Sequence, residues 1–311
     1  LTEATYAASK TTAADLDVDL VVGLAGETMP TTKVRPSPAP RALPGAPSSA
    51  PRYVAQTDVV TPSAGCASPH AAATFEPHDL ASSGTTRHLF VTALPAPPDP
   101  RPVIVVLHGN GGTATEVRRD LPIEDVLGAR AVFIYPEARA RLWDVDSPLG
   151  SSADAAFVRD AVAWAEATFC VDTRRHFVSG FSSGGYLANA LACEGEFRAV
   201  ATHGAGGPAP SPDETDPASG LFRCKKAAAL VFHGEEDPKV PVTEGMNSAE
   251  RWRVTNRCSP SWERDVDRGG SPCEVYSSCD EKVIRCIVPG LGHGLAADAA
   301  TRTAAFFDAV R

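Results

Sequence analysis

The sequence predicts an α/β fold, a mostly parallel sheet with helices on both faces, on three observations. Short runs that are apolar throughout recur at 103–107, 131–135 and 228–232. Segments with helical patterning separate the strand-like runs. Several runs stop abruptly, at His108-Gly109, at Pro136 and at His233-Gly234. Strands apolar on both sides must be covered on both sides, which a parallel sheet with crossover helices provides.

The elements follow in order. Residues 1–64 are rich in Ala, Pro, Thr and Ser, as in Pro36-Ser37-Pro38-Ala39-Pro40. Such a stretch buries too little apolar area to offset its ordering entropy and reads as a flexible linker or tail. The folded domain is expected over 65–311. Residues 87–92 alternate like an early strand, and 103–107 and 131–135 are buried strands. Residues 153–168 read as a helix capped by Ser152. A strand at 176–179 leads into a helix at 183–192, and strands follow at 200–203 and 228–232. A helix over 244–256, a strand over 283–288 and a helix over 296–310 complete the pattern. The segment from Gly204 to Cys224 is too short for a lid domain.

Composition narrows the function classes. The chain has 311 residues, 43% of them apolar, and a formal net charge of -9. Acidic balance argues against nucleic acid or an anionic membrane as partner. No run of apolar residues is long enough for a transmembrane helix. Eight cysteines without paired zinc-site spacing predict four disulfides and an oxidising, extracellular or periplasmic location. The opening Leu1-Thr2-Glu3 reads as a processed start.

In parallel sheets the chemistry lies just beyond the strands' carboxyl ends. Gly180-Phe181-Ser182-Ser183-Gly184-Gly185 fits a G-x-S-x-G nucleophile elbow between strand and helix. The turn is so tight that the residues two before and two after the nucleophile must be small. Ser182 has Gly180 and Gly184 there, whereas Ser183 would have Phe181. Ser182 is therefore the candidate nucleophile, and Ser183 supplies one oxyanion N–H. His233-Gly234-Glu235-Glu236-Asp237-Pro238 offers the orienting acid, with Asp237 preferred because Pro238 stiffens it. His293, among the glycines of Gly290-Leu291-Gly292-His293-Gly294, is the candidate base. His108-Gly109-Asn110-Gly111-Gly112 supplies the second oxyanion donor, Asn110, with Gly111 as fallback; His108 holds the loop. The order Ser, Asp, His is that of the α/β-hydrolase fold. This constellation predicts ester hydrolysis through an acyl-enzyme, with no metal or cofactor.

Several motifs carry a family resemblance. Phe169-Cys170-Val171-Asp172, Gly180–Gly185, Leu191-Ala192-Cys193, His233-Gly234-x-x-Asp237-Pro238-x-x-Pro241, Gly292-His293, Tyr135-Pro136 and Trp143-Asp144 are the residues concerned. Over 66–311 the chain resembles secreted esterases related to feruloyl esterases, acetyl xylan esterases and poly(3-hydroxybutyrate) depolymerases. The resemblance implies a secreted serine esterase in polysaccharide degradation, acting on feruloyl, acetyl or other bulky or polymeric esters. A depolymerase of aliphatic polyesters is the alternative, and an inactive hydrolase-fold binding module the alternative of another class. Such relatives present an aromatic residue to substrate two places beyond the histidine, where this chain has Leu295. Trp143 is then the aromatic candidate for the pocket, its other reading being a core tryptophan.

Topology suggests the disulfides. Cys193 ends the nucleophile helix and Cys224 precedes the next strand, both at the face opposite the site. Cys258 and Cys279 meet at the same end, Cys273 and Cys286 clasp a hairpin, and Cys66 with Cys170 remain.

Overall fold

A computed structural model describes residues 60–67, 72–95, 99–208, 224–265 and 270–310. The expected flexible tail up to residue 59, and most of the segment expected to be too short for a lid (209–223), lie outside these. The described strands form one sheet in the order β1-β2-β4-β3-β5-β6-β7-β10-β9-β8. These are β1 (Ala73–Ser82), β2 (Thr85–Ala93), β3 (Arg101–Leu107), β4 (Val132–Pro136), β5 (Val171–Phe181), β6 (Ala199–His203), β7 (Ala228–Gly234), β8 (Trp262–Arg264), β9 (Cys273–Tyr276) and β10 (Val283–Val288). From β4 to β10 the central neighbours pair in parallel, and antiparallel strands finish both edges.

Two apolar layers sandwich the sheet. Val103, Val105 and Leu107 of β3 face one core with Phe157, Leu187 and Trp252. These come from α3 (Ala153–Thr168), α4 (Ser183–Cys193) and α5 (Val242–Thr255). Ile104 and Val106 face the other core, with Val117, Ile123 and Phe307 of α1 (Ala114–Asp120), α2 (Ile123–Leu127) and α6 (Ala299–Ala309). Alternation along one fully buried strand thus feeds both layers. Ser152 caps α3, its Oγ accepting the Ala155 N–H at 3.3 Å.

Some boundaries move. The tail was expected to reach residue 64, yet residues 61–63 are seated on the foot of β5. Thr61 donates its N–H to Asp172, Pro62 bridges Asp172, and Ser63 Oγ donates to Phe169 O at 2.8 Å. Backbone hydrogen bonding, which composition does not register, fixes this boundary. The strand expected at 176–179 runs over Val171–Phe181. The helix expected from 296 begins at Ala299, because the Asp298 carboxylate turns to the Ser271 N–H at 2.9 Å. Strands β1, β8 and β9 and helices α1 and α2 had no clear signal. They are short or half-exposed and lack the apolar run that marks a central strand.

The structure joins Cys66 to Cys170, Cys193 to Cys224, Cys258 to Cys279 and Cys273 to Cys286. No helix among the described residues is long and apolar enough to cross a membrane.

Candidate active site

Register brings the motifs together. Leu107 at the end of β3 pairs with Gly180 at the end of β5, so the 108–112 loop leaves the sheet beside the elbow. Val288 pairs with Gly234, which places the loops after β7 and β10 side by side. The chain reverses its order of strand addition at β3, where parallel sheets open a crevice for ligands.

Ser182 sits at φ 52°, ψ -122°, a left-handed region that a non-glycine residue occupies only under constraint. The glycines around it explain how the turn closes. A Cβ on Gly180 would lie 2.3 Å from Gly184 O, and one on Gly184 would lie 2.4 Å from His108 O. The Ser182 N–H is anchored to His203 O at 2.9 Å. The side chain then points its Oγ to His293 Nε2 at 3.0 Å.

His293 Nδ1 donates to Asp237 Oδ2 at 2.7 Å. The other carboxylate oxygen accepts the N–H groups of Lys239 at 2.8 Å and Val240 at 2.9 Å. Burial opposes ionisation of Asp237. The Val240 N–H, the His293 ring and the Lys239 N–H outweigh it and hold the carboxyl below its ordinary range. Glu235 and Glu236 are exposed. His293 also packs against Phe181, ring centroids 4.9 Å apart. Sequence reasoning passed over Phe181; its only signal was being the variable residue of the elbow motif.

The 108–112 loop is clamped from below. His108 is buried; its Nδ1 donates to Gly109 O at 2.7 Å and its Nε2 accepts the Ala138 N–H at 3.1 Å. Burial lowers its pKa and so favours this neutral tautomer, against the raising effect of the Gly109 carbonyl. Gly111 commits its N–H to Arg141 O at 2.8 Å, so the fallback oxyanion donor is already paired. Asn110 is exposed, and among the described residues the Ser183 Oγ has no hydrogen-bond partner.

Trp143 does not present an aromatic face to a substrate. It is 5% exposed and donates its indole N–H to His108 O at 2.8 Å. The core reading holds, because an indole buried against the sheet needs a partner for its N–H and finds one in this loop. Leu295 is half-buried and packs on the core that includes α6. Among the described residues, no group of three His, Cys, Asp or Glu is placed to hold a metal.

The comparisons agree with this architecture. No family model matches the sequence. Acetyl xylan esterase from Aspergillus awamori superposes with a TM-score of 0.58, covering 75% of this chain and 99% of its own, at 15% identity. That likeness establishes the fold. The protein has the α/β-hydrolase fold. Feruloyl esterase C of Emericella nidulans is 29% identical over 200 residues, 60% of this chain and 68% of that protein. Feruloyl esterase B of Piromyces equi is 26% identical over 175 residues, 49% of this chain and 31% of that protein. The chain is thus similar in sequence to feruloyl esterases, and it spans only part of the length of these relatives.

Proposed function

We propose that the protein is a secreted serine esterase that hydrolyses carboxylic esters through an acyl-enzyme. The observation that carries this is the continuous hydrogen-bond chain from Ser182 Oγ through His293 to Asp237, set on a strained elbow. His293 Nε2 takes the Ser182 proton as Oγ attacks the ester carbonyl. Asp237 holds the imidazole with Nδ1 protonated and stabilises the imidazolium. The N–H groups of Asn110 and Ser183 receive the oxyanion. Collapse breaks the bond to the alcohol, which leaves with the proton from His293. Water, deprotonated by the same histidine, then releases the acid and restores the serine.

Esters carried on a polysaccharide, feruloyl or acetyl, are the substrate class that the relatives' names support. The four disulfides support an oxidising compartment. The purified protein is to be treated with a fluorophosphonate probe and assayed on matched acetyl, feruloyl and 3-hydroxybutyrate esters. Covalent labelling and turnover are expected, both lost in Ser182→Ala, with acetyl or feruloyl esters preferred. An unlabelled, inactive parent protein would mean that the domain is a binding module. Preference for the hydroxybutyrate ester would move the substrate to aliphatic polyesters.

A further inference from the structure

His233 lies one residue before the end of β7, directly under the loop that carries Asp237. Its side chain is wholly enclosed, as is that of Asp237. Nε2 donates to Val240 O at 2.9 Å and lies 3.5 Å from Asp237 Oδ2. The same Val240 gives its own N–H to Asp237 Oδ1. The imidazole therefore closes a ring of contacts: from Nε2 to the Val240 carbonyl, through the Val240 amide to the carboxylate, and across to Nε2 again.

The far side of the ring defines which nitrogen carries hydrogen and the space made for it. Among the described residues, buried Nδ1 has no hydrogen-bond partner, so a proton there would be an unpaired buried donor. The tautomer with hydrogen on Nε2 donates to the Val240 carbonyl and turns that N–H toward the Asp237 carboxylate. Nδ1 abuts α5 at Gly245, where an added Cβ would come within 2.4 Å of it. Glycine within a helix costs about 1 kcal/mol relative to alanine. α5 carries that cost and leaves room for the imidazole. The titratable groups around it are Asp237 and, beyond Asp237, His293. Glu235, Glu236 and Lys239 on the same loop are exposed, and α5 brings Gly245, next to Glu244.

We infer that His233 is a positioning residue for the catalytic acid, its Nε2–H fixing the Asp237 loop and tempering the carboxylate that faces His293. The inference rests on the triad roles proposed above. It has a consequence that packing alone lacks. Without the Nε2–H, the carboxylate is less satisfied and draws the His293 proton more strongly. The imidazolium is then favoured over the neutral base. The acid limb of kcat/KM therefore moves upward.

His233→Gln keeps an N–H near the Nε2 position, whereas His233→Phe keeps a ring without a donor. Both are to be assayed across pH on a 4-nitrophenyl ester, with Tm recorded. The Phe variant is expected to lose about tenfold in kcat, the cost of leaving the buried Val240 carbonyl without its donor, with KM within about twofold. Its acid limb should rise, and Gln should recover most of both. Gly245→Ala presses on Nδ1 and should reproduce the kcat loss and the raised limb; it carries the test if the Phe variant does not fold. Parental kcat and acid limb in folded His233→Phe, or failing that in Gly245→Ala, overturn the inference. Equal losses in the Gln and Phe variants also overturn it. A parent protein that neither turns over esters nor takes up a fluorophosphonate instead defeats the proposed function.

Discussion

At the residue scale, Ser182 occupies a backbone region that costs about 1–3 kcal/mol for a non-glycine side chain. That strain, held by the Ser182 N–H on His203 O, aims Oγ at His293. In the proposed mechanism Ser183 acts through its backbone N–H, and its hydroxyl, without a partner among the described residues, has no role. Ser183→Ala is therefore expected to keep at least about a third of parental kcat in an initial-rate assay, because it removes a buried hydroxyl that makes no hydrogen bond among the described residues. A dead Ser183 variant beside an active Ser182→Ala would show that the nucleophile is the wrong serine. Asp237→Asn replaces an acceptor with an amide facing His293 Nδ1, and kcat should fall by on the order of 10⁴, as in a serine protease triad. Glu235→Gln and Glu236→Gln, both exposed, should stay near parental turnover. A severe loss from either would reassign the acid.

At the scale of elements, the loop after β3 is positioned by partners distant in sequence. Trp143 and Ala138 come from the segment after β4, and Gly184 is the second residue of α4. Trp143→Phe keeps most of the buried ring but leaves His108 O without that donor. The expected outcome is a fall in kcat of about tenfold with little change in KM, since the oxyanion donor is displaced only where charge develops. Unchanged kcat would mean that the loop keeps its place without the indole. The 140–141 turn completes the clamp: Ala140 and Arg141 both adopt left-handed φ, and Arg141 O takes the Gly111 N–H. No residue pattern in that segment announced such a turn, because the conformation is imposed by the loop it holds.

At the scale of the whole molecule, none of the four disulfides lies in the loops that carry Ser182, Asp237, His293 or Asn110. Their reduction should lower Tm, each bridge contributing about 2–4 kcal/mol, while protein that stays folded keeps its turnover. Loss of activity in folded, reduced protein, measured by rate beside circular dichroism, would tie a bridge to the site. Acid stability follows from a second buried group. His203 is wholly buried, stacked on Phe232, and burial pushes its pKa down to about 3. The unfolded chain takes up this proton near the ordinary histidine pKa, so stability should fall from about pH 6.5 downward, by about 1.4 kcal/mol per pH unit for this one site. The loss should level off near the folded-state value of about 3. Asp237 adds to acid lability with the depressed-carboxylate sign: its contribution is present above the ordinary carboxylate range and is lost as pH falls through its lowered pKa. Denaturant unfolding at stepped pH checks both, and stability unchanged between pH 6.5 and 4 would contradict the His203 assignment.

The amino-acid sequence by itself determined the central strands, the elbow with its choice of Ser182 over Ser183, and the order of the three candidate catalytic residues. Each is a local constraint: apolar runs must be buried on both faces, and a tight turn admits only small neighbours. The edge strands, the seating of residues 61–63, the inward turn of Trp143 and the ring around His233 were decided only in three dimensions. The physical reason is common to them. A half-exposed strand, a short extended segment, a tryptophan and a histidine are each compatible with several environments. Which one they occupy depends on contacts outside their own segment: Phe169 and Asp172 for residues 61–63, His108 for the indole, and the Asp237 loop with Gly245 of α5 for the imidazole.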